Sequence, residues 1–256
     1  MSAPTDPIAY LRRVREAGQH NDVVQMIRDR DSAITRWGRV FASPSRLTPE
    51  DLSDFLQFEH NRHWWGLQRR SDILLRRFEA VREMISELLD EDRPIVERID
   101  GLGEPREFDR EIWSPILLVT HPDTHGVWNQ ISESAMRRLG LWPDGTDGAS
   151  PGTVYGMVDE MLNLTAAEVG VDLWTLDALW WAVEKEHDAS RYFVTRSKPA
   201  RVATRARTAA PARTKTLRAA KAKAVVAEDT FVCQRCWMTK QSRLASDEAG
   251  VCIDCA

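Results

Sequence analysis

Residues 112–120, IWSPILLVT, form the most apolar stretch of this chain, and their reading decides the fold. An apolar run of this length is either a buried helix or a short buried strand, because an element covered on all sides shows no polar alternation. Nothing elsewhere in the chain alternates with period two for long, so a strand here would have no partner. Pro115 is compatible with the first turn of a helix, where its missing N–H is not needed. The run is therefore read as a buried helix, and the main domain as all-α.

On either side, the flanking sequence supplies helix starts and stops. Thr48-Pro49-Glu50-Asp51 predicts a helix start, with Thr48 as N-cap, Pro49 at N1 and Asp51 at N3, continuing through Leu52, Phe55, Leu56 and Phe58 toward Trp64. Ser71 or Asp72 is expected to cap one long amphipathic helix burying Ile73, Leu74, Phe78, Val81, Ile85, Leu88 and Leu89. Pro94–Ile99 is a shorter helix stopped by Gly101-Leu102-Gly103. Asn129 is placed to cap a helix over Gln130–Leu139 that ends at Gly140. Thr153–Val169 and a last helix after Asp172 or Thr175 complete the set, and Ala9–Arg30 reads as one helix or as two broken at Gly18. Trp113, Trp128, Trp142, Trp174, Trp180 and Trp181 are expected in the core.

Length and charge divide the chain. The 256 residues suffice for one sizeable domain and a small module. The formal net charge of −4 hides an asymmetry. Between Arg196 and Lys223 lie ten cations and no acid: Arg196, Lys198, Arg201, Arg205, Arg207, Arg213, Lys215, Arg218, Lys221 and Lys223. Residues 224–256 carry −2, which leaves −12 on residues 1–195. The segment 196–229 is rich in Ala, Thr and Pro and holds one aromatic-free cationic run. It is expected to be a disordered linker that binds nucleic-acid phosphates with steep salt dependence. The expected domains are thus 1–195 (helical), 196–229 (basic linker) and 230–256 (a metal module).

The last segment carries the clearest chemistry. Cys233 and Cys236 form one C-x-x-C pair, Cys252 and Cys255 another, with 15 residues between the pairs and no other cysteine in the chain. Zinc takes four ligands in a tetrahedron, and this spacing fits a Cys₄ site. So short a segment has little apolar surface to bury, so the metal would serve as its core. Two disulfides are the alternative. The amino terminus lacks the pattern of a secretory signal, no apolar run is long enough to span a membrane, and a reducing cytoplasm is the expected compartment.

Three strings resemble an uncharacterised bacterial helical module: LTPEDLSDFLQFEHNRHWWGLQRR (47–70), WSPILLVTHPDTHGVWNQISESAMRRLGLWP (113–143) and GVDLWTLDALWWAVE (170–184). That module is associated with restriction-type nucleases and AAA-type ATPases, and the resemblance covers roughly residues 33–185. It implies a genome-defence or DNA-transaction setting with a nuclease or ATPase as partner protein. A more distant similarity is to helix-hairpin-helix DNA glycosylases. It sets Gly101-Leu102-Gly103 as the hairpin and Ile112–Thr120 as the apolar helix. Asn129 then stands where those enzymes carry a catalytic Asp, the insertion EPREFDREI separates the glycines from the helix, and Glu133 is the nearby carboxylate. The tail FVCQRCWMTKQSRLASDEAGVCIDCA resembles the C-terminal Cys₄ segment of small proteins of high-GC bacteria, which implies zinc ligation by Cys233, Cys236, Cys252 and Cys255.

Two further constellations have both a functional and a structural reading. Glu59-His60-Asn61-Arg62-His63-Trp64-Trp65 pairs two histidines at metal-ligand spacing, or is a helix end packed by its rings, or places Asn61, Arg62, His63 and Trp64 to bind a phosphate or stack a base. His121 and His125 in HPDTHG, with Asp123 between them, are either acid–base groups or parts of a turn set by Pro122 and Gly126. No phosphate-binding glycine loop is present. The expectation is a nucleic-acid-associated accessory protein, DNA in particular, whose alternatives are a divergent glycosylase-type enzyme and a protein–protein adaptor.

Overall fold

The computed structural model describes residues 4–17, 21–61, 64, 66–103, 105–196, 230–232 and 239–241, with backbone alone at 22, 187–196 and the last two segments. The chain divides into two units, residues 1–200 and 201–256. The described part of the first is helical and contains no strand: α1 (Pro7–Ala17), α2 (Asn21–Phe41), α3 (Pro49–Gln57), α4 (Gly66–Arg76), α5 (Phe78–Leu88), α6 (Ile95–Asp100), α7 (Arg110–Thr120), α8 (Gln130–Leu139), α9 (Pro151–Val169) and α10 (Leu173–Arg196). The second contributes β1 (Thr230–Val232) and β2 (Thr239–Gln241), paired antiparallel with Val232 opposite Thr239.

The apolar run is the central helix, α7, in which every residue from Ile112 to Val119 is buried. It packs against α2 and α4. At the α2 crossing a Cβ on Gly38 would stand 2.9 Å from the Val119 carbonyl, so only glycine lets the backbones approach this closely. Each fully buried Ile or Leu of α7 contributes roughly 1.5–3 kcal/mol by leaving water. The helix begins at Arg110, capped by the Asp109 side chain, which accepts the Glu111 N–H. Pro115 therefore sits in the second turn rather than the first, where it deprives the Glu111 carbonyl of its helical donor.

The caps at Thr48 and Asn129 form as expected. The Thr48 hydroxyl accepts the Asp51 N–H while the Asp51 carboxylate accepts that of Thr48. Asn129 and Ser132 make the same reciprocal pair at the start of α8, and Gly140 ends that helix at a φ of 71°. Asp172 accepts the Thr175 N–H at 2.7 Å and opens α10.

Three expected helices differ. α2 runs on to Phe41, eleven residues past the expected end at Arg30. α3 stops at Gln57, and its orphaned Phe55 carbonyl is capped by the Asn61 amide at 2.9 Å. The long helix expected from Ser71 or Asp72 to Leu89 is two helices, α4 and α5, separated at Arg77, whose φ of −115° and ψ of 31° leave the helical region. Ser71 lies inside α4, buried. The apolar spacing runs unbroken across this bend and no Gly or Pro marks it, so periodicity alone cannot reveal it. Elsewhere α10 packs on α1, α2, α8 and α9, and α6 lies along α9. Arg15 on α1 donates to the Val169 carbonyl at 3.0 Å, and Arg12 to that of Glu168, so two cations meet the carboxyl end of α9.

The tryptophans are core, as expected: Trp113, Trp128, Trp174 and Trp180 are buried, and Trp142 and Trp181 are partly so. They meet edge to face, Trp64 against Trp174 at 5.2 Å and Trp113 against Tyr155 at 4.9 Å, rather than as parallel faces with a slot between them.

Candidate functional site

The histidine loop between α7 and α8 is tied by hydrogen bonds to α7 and α9. Its anchor is Asp159 on α9, 7 % exposed, which accepts the Gly126 N–H at 2.7 Å on one oxygen and meets His125 Nδ1 at 2.7 Å on the other. A carboxylate can only accept, so Nδ1 carries the proton. The Tyr155 hydroxyl donates to the Gly126 carbonyl at 2.9 Å, Asn163 to the Thr124 carbonyl at 2.9 Å, and the Trp128 N–H to Ser114 Oγ at 3.0 Å. Gly126 lies so close to α9 that a Cβ there would stand 2.6 Å from Leu162. His121 pairs with Glu91 at 3.1 Å, and burial, with the nearby His125 and Arg98, pulls its pKa below the ordinary histidine value. Burial and the Asp159 charge push the Tyr155 phenol well above its ordinary value. Among the described residues no three His, Cys, Asp or Glu side chains are grouped to hold a metal. The loop is thus a clamp: Asp159 uses both oxygens to fix it to α9.

Asn129 and Glu133, the positions singled out by the glycosylase similarity, are likewise occupied. Asn129 is 4 % exposed and serves as the α8 cap. Glu133 takes Arg137 at 2.9 Å on one oxygen, and Arg110 at 2.5 Å and the Trp128 indole at 3.3 Å on the other. Burial alone would raise its pKa, but the Arg137 bond, the Arg110 charge and the Trp128 donor outweigh burial and hold it below the ordinary value. Both carboxylate oxygens thus serve a local network that ties α8 to Arg110 and Trp128.

A third polar site was not legible. Asp177 on α10 is 3 % exposed and accepts the Trp64 indole N–H at 2.8 Å. Burial, opposed by that bond and reinforced by the charge of Glu111, pushes its pKa up to about 7. Glu111 is itself raised by burial, although the Gln130 N–H reaches it at 2.8 Å. In the expected phosphate or base contact at 61–64, Asn61 and Trp64 are both buried and turned inward, and His60, one of the two expected metal ligands, pairs with Asp29 at 3.1 Å. Arg62, His63 and Trp65 lie outside the described residues.

A concavity rich in arginine lies beside the end of α4. Ile73, Arg76 and Arg77 line an open cleft of about 610 Å³ together with Arg106 and Glu107 from the segment before α7. Arg69, Arg76, Arg77 and Arg106 are exposed, while Leu67, Ser71 and Leu74 cover the opposite side of α4. Arg70, beside them, donates to the Glu107 carbonyl at 3.2 Å and pairs with Asp109.

Of the expected nucleic-acid-binding cations, Arg196 is the last residue of α10, and Lys198, Arg201, Arg205, Arg207, Arg213, Lys215, Arg218, Lys221 and Lys223 lie outside the described residues. So do Cys233, Cys236, Cys252 and Cys255. What the structure adds is the antiparallel pairing of β1 with β2, between which residues 233–238, with Cys233 and Cys236, lie in the sequence. The sequence reading has no strand here, because the alternation Thr230-Phe231-Val232 is too short to register as a period.

Asp159, Asp177 and the α4 arginines had signals of a kind that periodicity searches pass over. Each aspartate stands on the core side of an apolar helix, Asp159 beside Val158 and Leu162, Asp177 between Leu176 and Ala178. The doublets Arg69-Arg70 and Arg76-Arg77 are seven residues apart, so Arg69 and Arg76 stand two turns apart on one face of α4, and Arg77 follows its end. No helix of the described residues is long and apolar enough to cross a membrane. No protein-family model, no curated protein and no solved structure matches this chain.

Proposed function

We propose that this chain is a nucleic-acid-associated accessory protein, acting on DNA in a defence or repair setting in the cytoplasm beside a nuclease or ATPase partner. The observation that carries the reading is the segregation of charge. Ten cations without one acid lie in residues 196–223, while residues 1–195 carry −12. A chain that merely needed solubility would intersperse the two signs. Concentrated positive charge binds phosphates by releasing counterions and does so without sequence preference. The Cys₄ set Cys233, Cys236, Cys252 and Cys255 is proposed to hold one structural zinc. Four thiolates leave no open coordination position, so the metal shapes a docking surface and performs no reaction. The hairpin carrying the first pair is compatible with that role.

The test is titration of full-length protein onto short duplex and single-stranded DNA at rising salt, beside a full-length variant with the ten cations of 196–223 replaced by glutamine. The parent protein should bind with an affinity that weakens steeply with salt, and the variant should show a markedly shallower slope. Equal binding by the two proteins would overturn the reading.

A further inference from the structure

We propose that His121 and His125 form a binding site for a divalent transition-metal ion, held by the two imidazole Nε2 atoms and completed by solvent. The two residues stand four apart on one turn, in which the His125 N–H donates to the His121 carbonyl at 3.0 Å. Histidines at this spacing share one face, as paired zinc-binding histidines on a helix do. Their rings lie 5.8 Å apart between centres, with the planes at 87°. A zinc–nitrogen bond of roughly 2.0–2.1 Å sets an ion about 3 Å from the centre of each ring, so one ion can span this gap.

The tautomers of the two rings agree. Asp159 meets His125 Nδ1 at 2.7 Å, and Glu91 meets His121 Nδ1 at 3.1 Å, so in each neutral ring the proton sits on Nδ1. Each Nε2 then keeps a lone pair, and neither is hydrogen-bonded to a described residue. A carboxylate behind a histidine is the arrangement that orients a metal ligand and raises its basicity. His125 is buried, and a buried ring acceptor calls for a partner. The clamp on α9 accounts for Asp159 and His125 but has no use for His121, whose exposed Glu91 partner adds little to stability.

The donor atoms and the local charge select the ion. Burial above all lowers the His121 pKa, which leaves an unprotonated imidazole of the kind a metal requires. Among the charges acting on that ring, the Glu91 carboxylate outweighs the Arg98 guanidinium, which suits a cation. Imidazole nitrogens favour zinc, nickel and copper, whereas magnesium and calcium take oxygen ligands. No third His, Cys, Asp or Glu joins the pair among the described residues, so water fills the remaining positions. Two imidazoles hold an ion less tightly than four thiolates, so this site exchanges its metal while the proposed Cys₄ set keeps its own. The open positions give an anionic group, such as a phosphate oxygen, a place to attach.

The experiment titrates Ni²⁺ into untagged full-length protein, followed by calorimetry and by the NMR signals of the histidine rings. The parent should bind nickel, and the rings of His121 and His125 should be the first to broaden. His121→Ala lies outside the Asp159 clamp, and an unchanged thermal midpoint verifies its fold. It should bind at least ~10-fold more weakly, because even the outer partner of a ligand histidine is worth roughly 10–100-fold in affinity. Equal binding by the parent and His121→Ala, or first broadening at other histidines, would overturn the site. So would a parent protein that takes up no nickel at millimolar concentration.

Discussion

The helical unit and the β1–β2 hairpin solve the same problem with different materials. In the first, α7 is buried from Ile112 to Val119 and the tryptophans of α7 and α10 fill the space around it, so apolar area holds the unit together. In the second, two three-residue strands are paired, with one C-x-x-C pair between them in the sequence, and the sequence offers little else to bury. An isolated two-stranded hairpin is marginal in water. If Cys233, Cys236, Cys252 and Cys255 hold zinc as proposed, the chain has two kinds of stability, one indifferent to metal and one that depends on it.

Metal removal tests this difference with the largest expected effect. Purified protein should carry one zinc per chain, and Cys233→Ser should lose it, since structural Cys₄ sites contribute on the order of 10 kcal/mol or more to folding of the segment they hold. A strong chelator should strip the metal and leave the thermal unfolding of the helical unit unchanged. Should chelation also lower that midpoint, the two regions are not independent. Full-length protein without bound metal and with two disulfides would replace zinc by cross-links.

On the apolar side, Trp174→Ala should cost about 3–5 kcal/mol in denaturant unfolding, from lost burial and the cavity left beside Trp64. Metal content should be untouched by it. A loss of zinc in this variant would show that the second unit leans on the first.

Within the helical unit, the two buried aspartates set up a smaller test. Asp159 receives the Gly126 N–H and His125, while Asp177 sits with Trp64 and the negative Glu111 and titrates near 7. A carboxyl whose folded pKa is raised contributes stability that is fully present below its unfolded pKa, near 4, and is lost as pH rises to about 7. Asp177→Asn keeps an oxygen for the Trp64 indole and removes the titration. The variant should therefore match the parent near pH 4 and exceed it at pH 8 by a few kcal/mol at most, since each tenfold change in acidity on folding is worth on the order of 1.4 kcal/mol. A difference that does not change with pH would mean that Asp177 is ionised throughout.

How much of this was legible follows from where the signal is local. The caps at Thr48 and Asn129, the stop at Gly140 and the buried run at 112–120 were legible because each depends on residues within one or two turns of each other. The bend at Arg77 was not, because the apolar spacing from Leu74 through Phe78 to Val81 is what a straight helix would show. Nor were the pairings of the histidines. His121 and His125 suggested acid–base chemistry, but their partners, Glu91 and Asp159, lie 30 and 34 residues away and only the fold brings them in. The α4 cleft needed Arg106 from a different segment.

The smallest effect probes that local signal directly. The Thr48 hydroxyl accepts the Asp51 N–H at 3.1 Å, and the Asp51 carboxylate accepts the Thr48 N–H at 3.1 Å, so two orphan donors at the start of α3 are met by two exposed side chains. Thr48→Ala removes one acceptor and should lower stability by about 1 kcal/mol, whereas Thr48→Ser should change it by only a few tenths. The buried counterpart, Asn129→Ala, breaks the same reciprocal pair where water cannot replace it, and should cost more than Thr48→Ala, by about 1–2 kcal/mol. Equal costs at the two caps would mean that water reaches the start of α8 as freely as that of α3. The burial of Asn129 and Ser132 argues against this, because an unmet N–H there has no solvent to turn to.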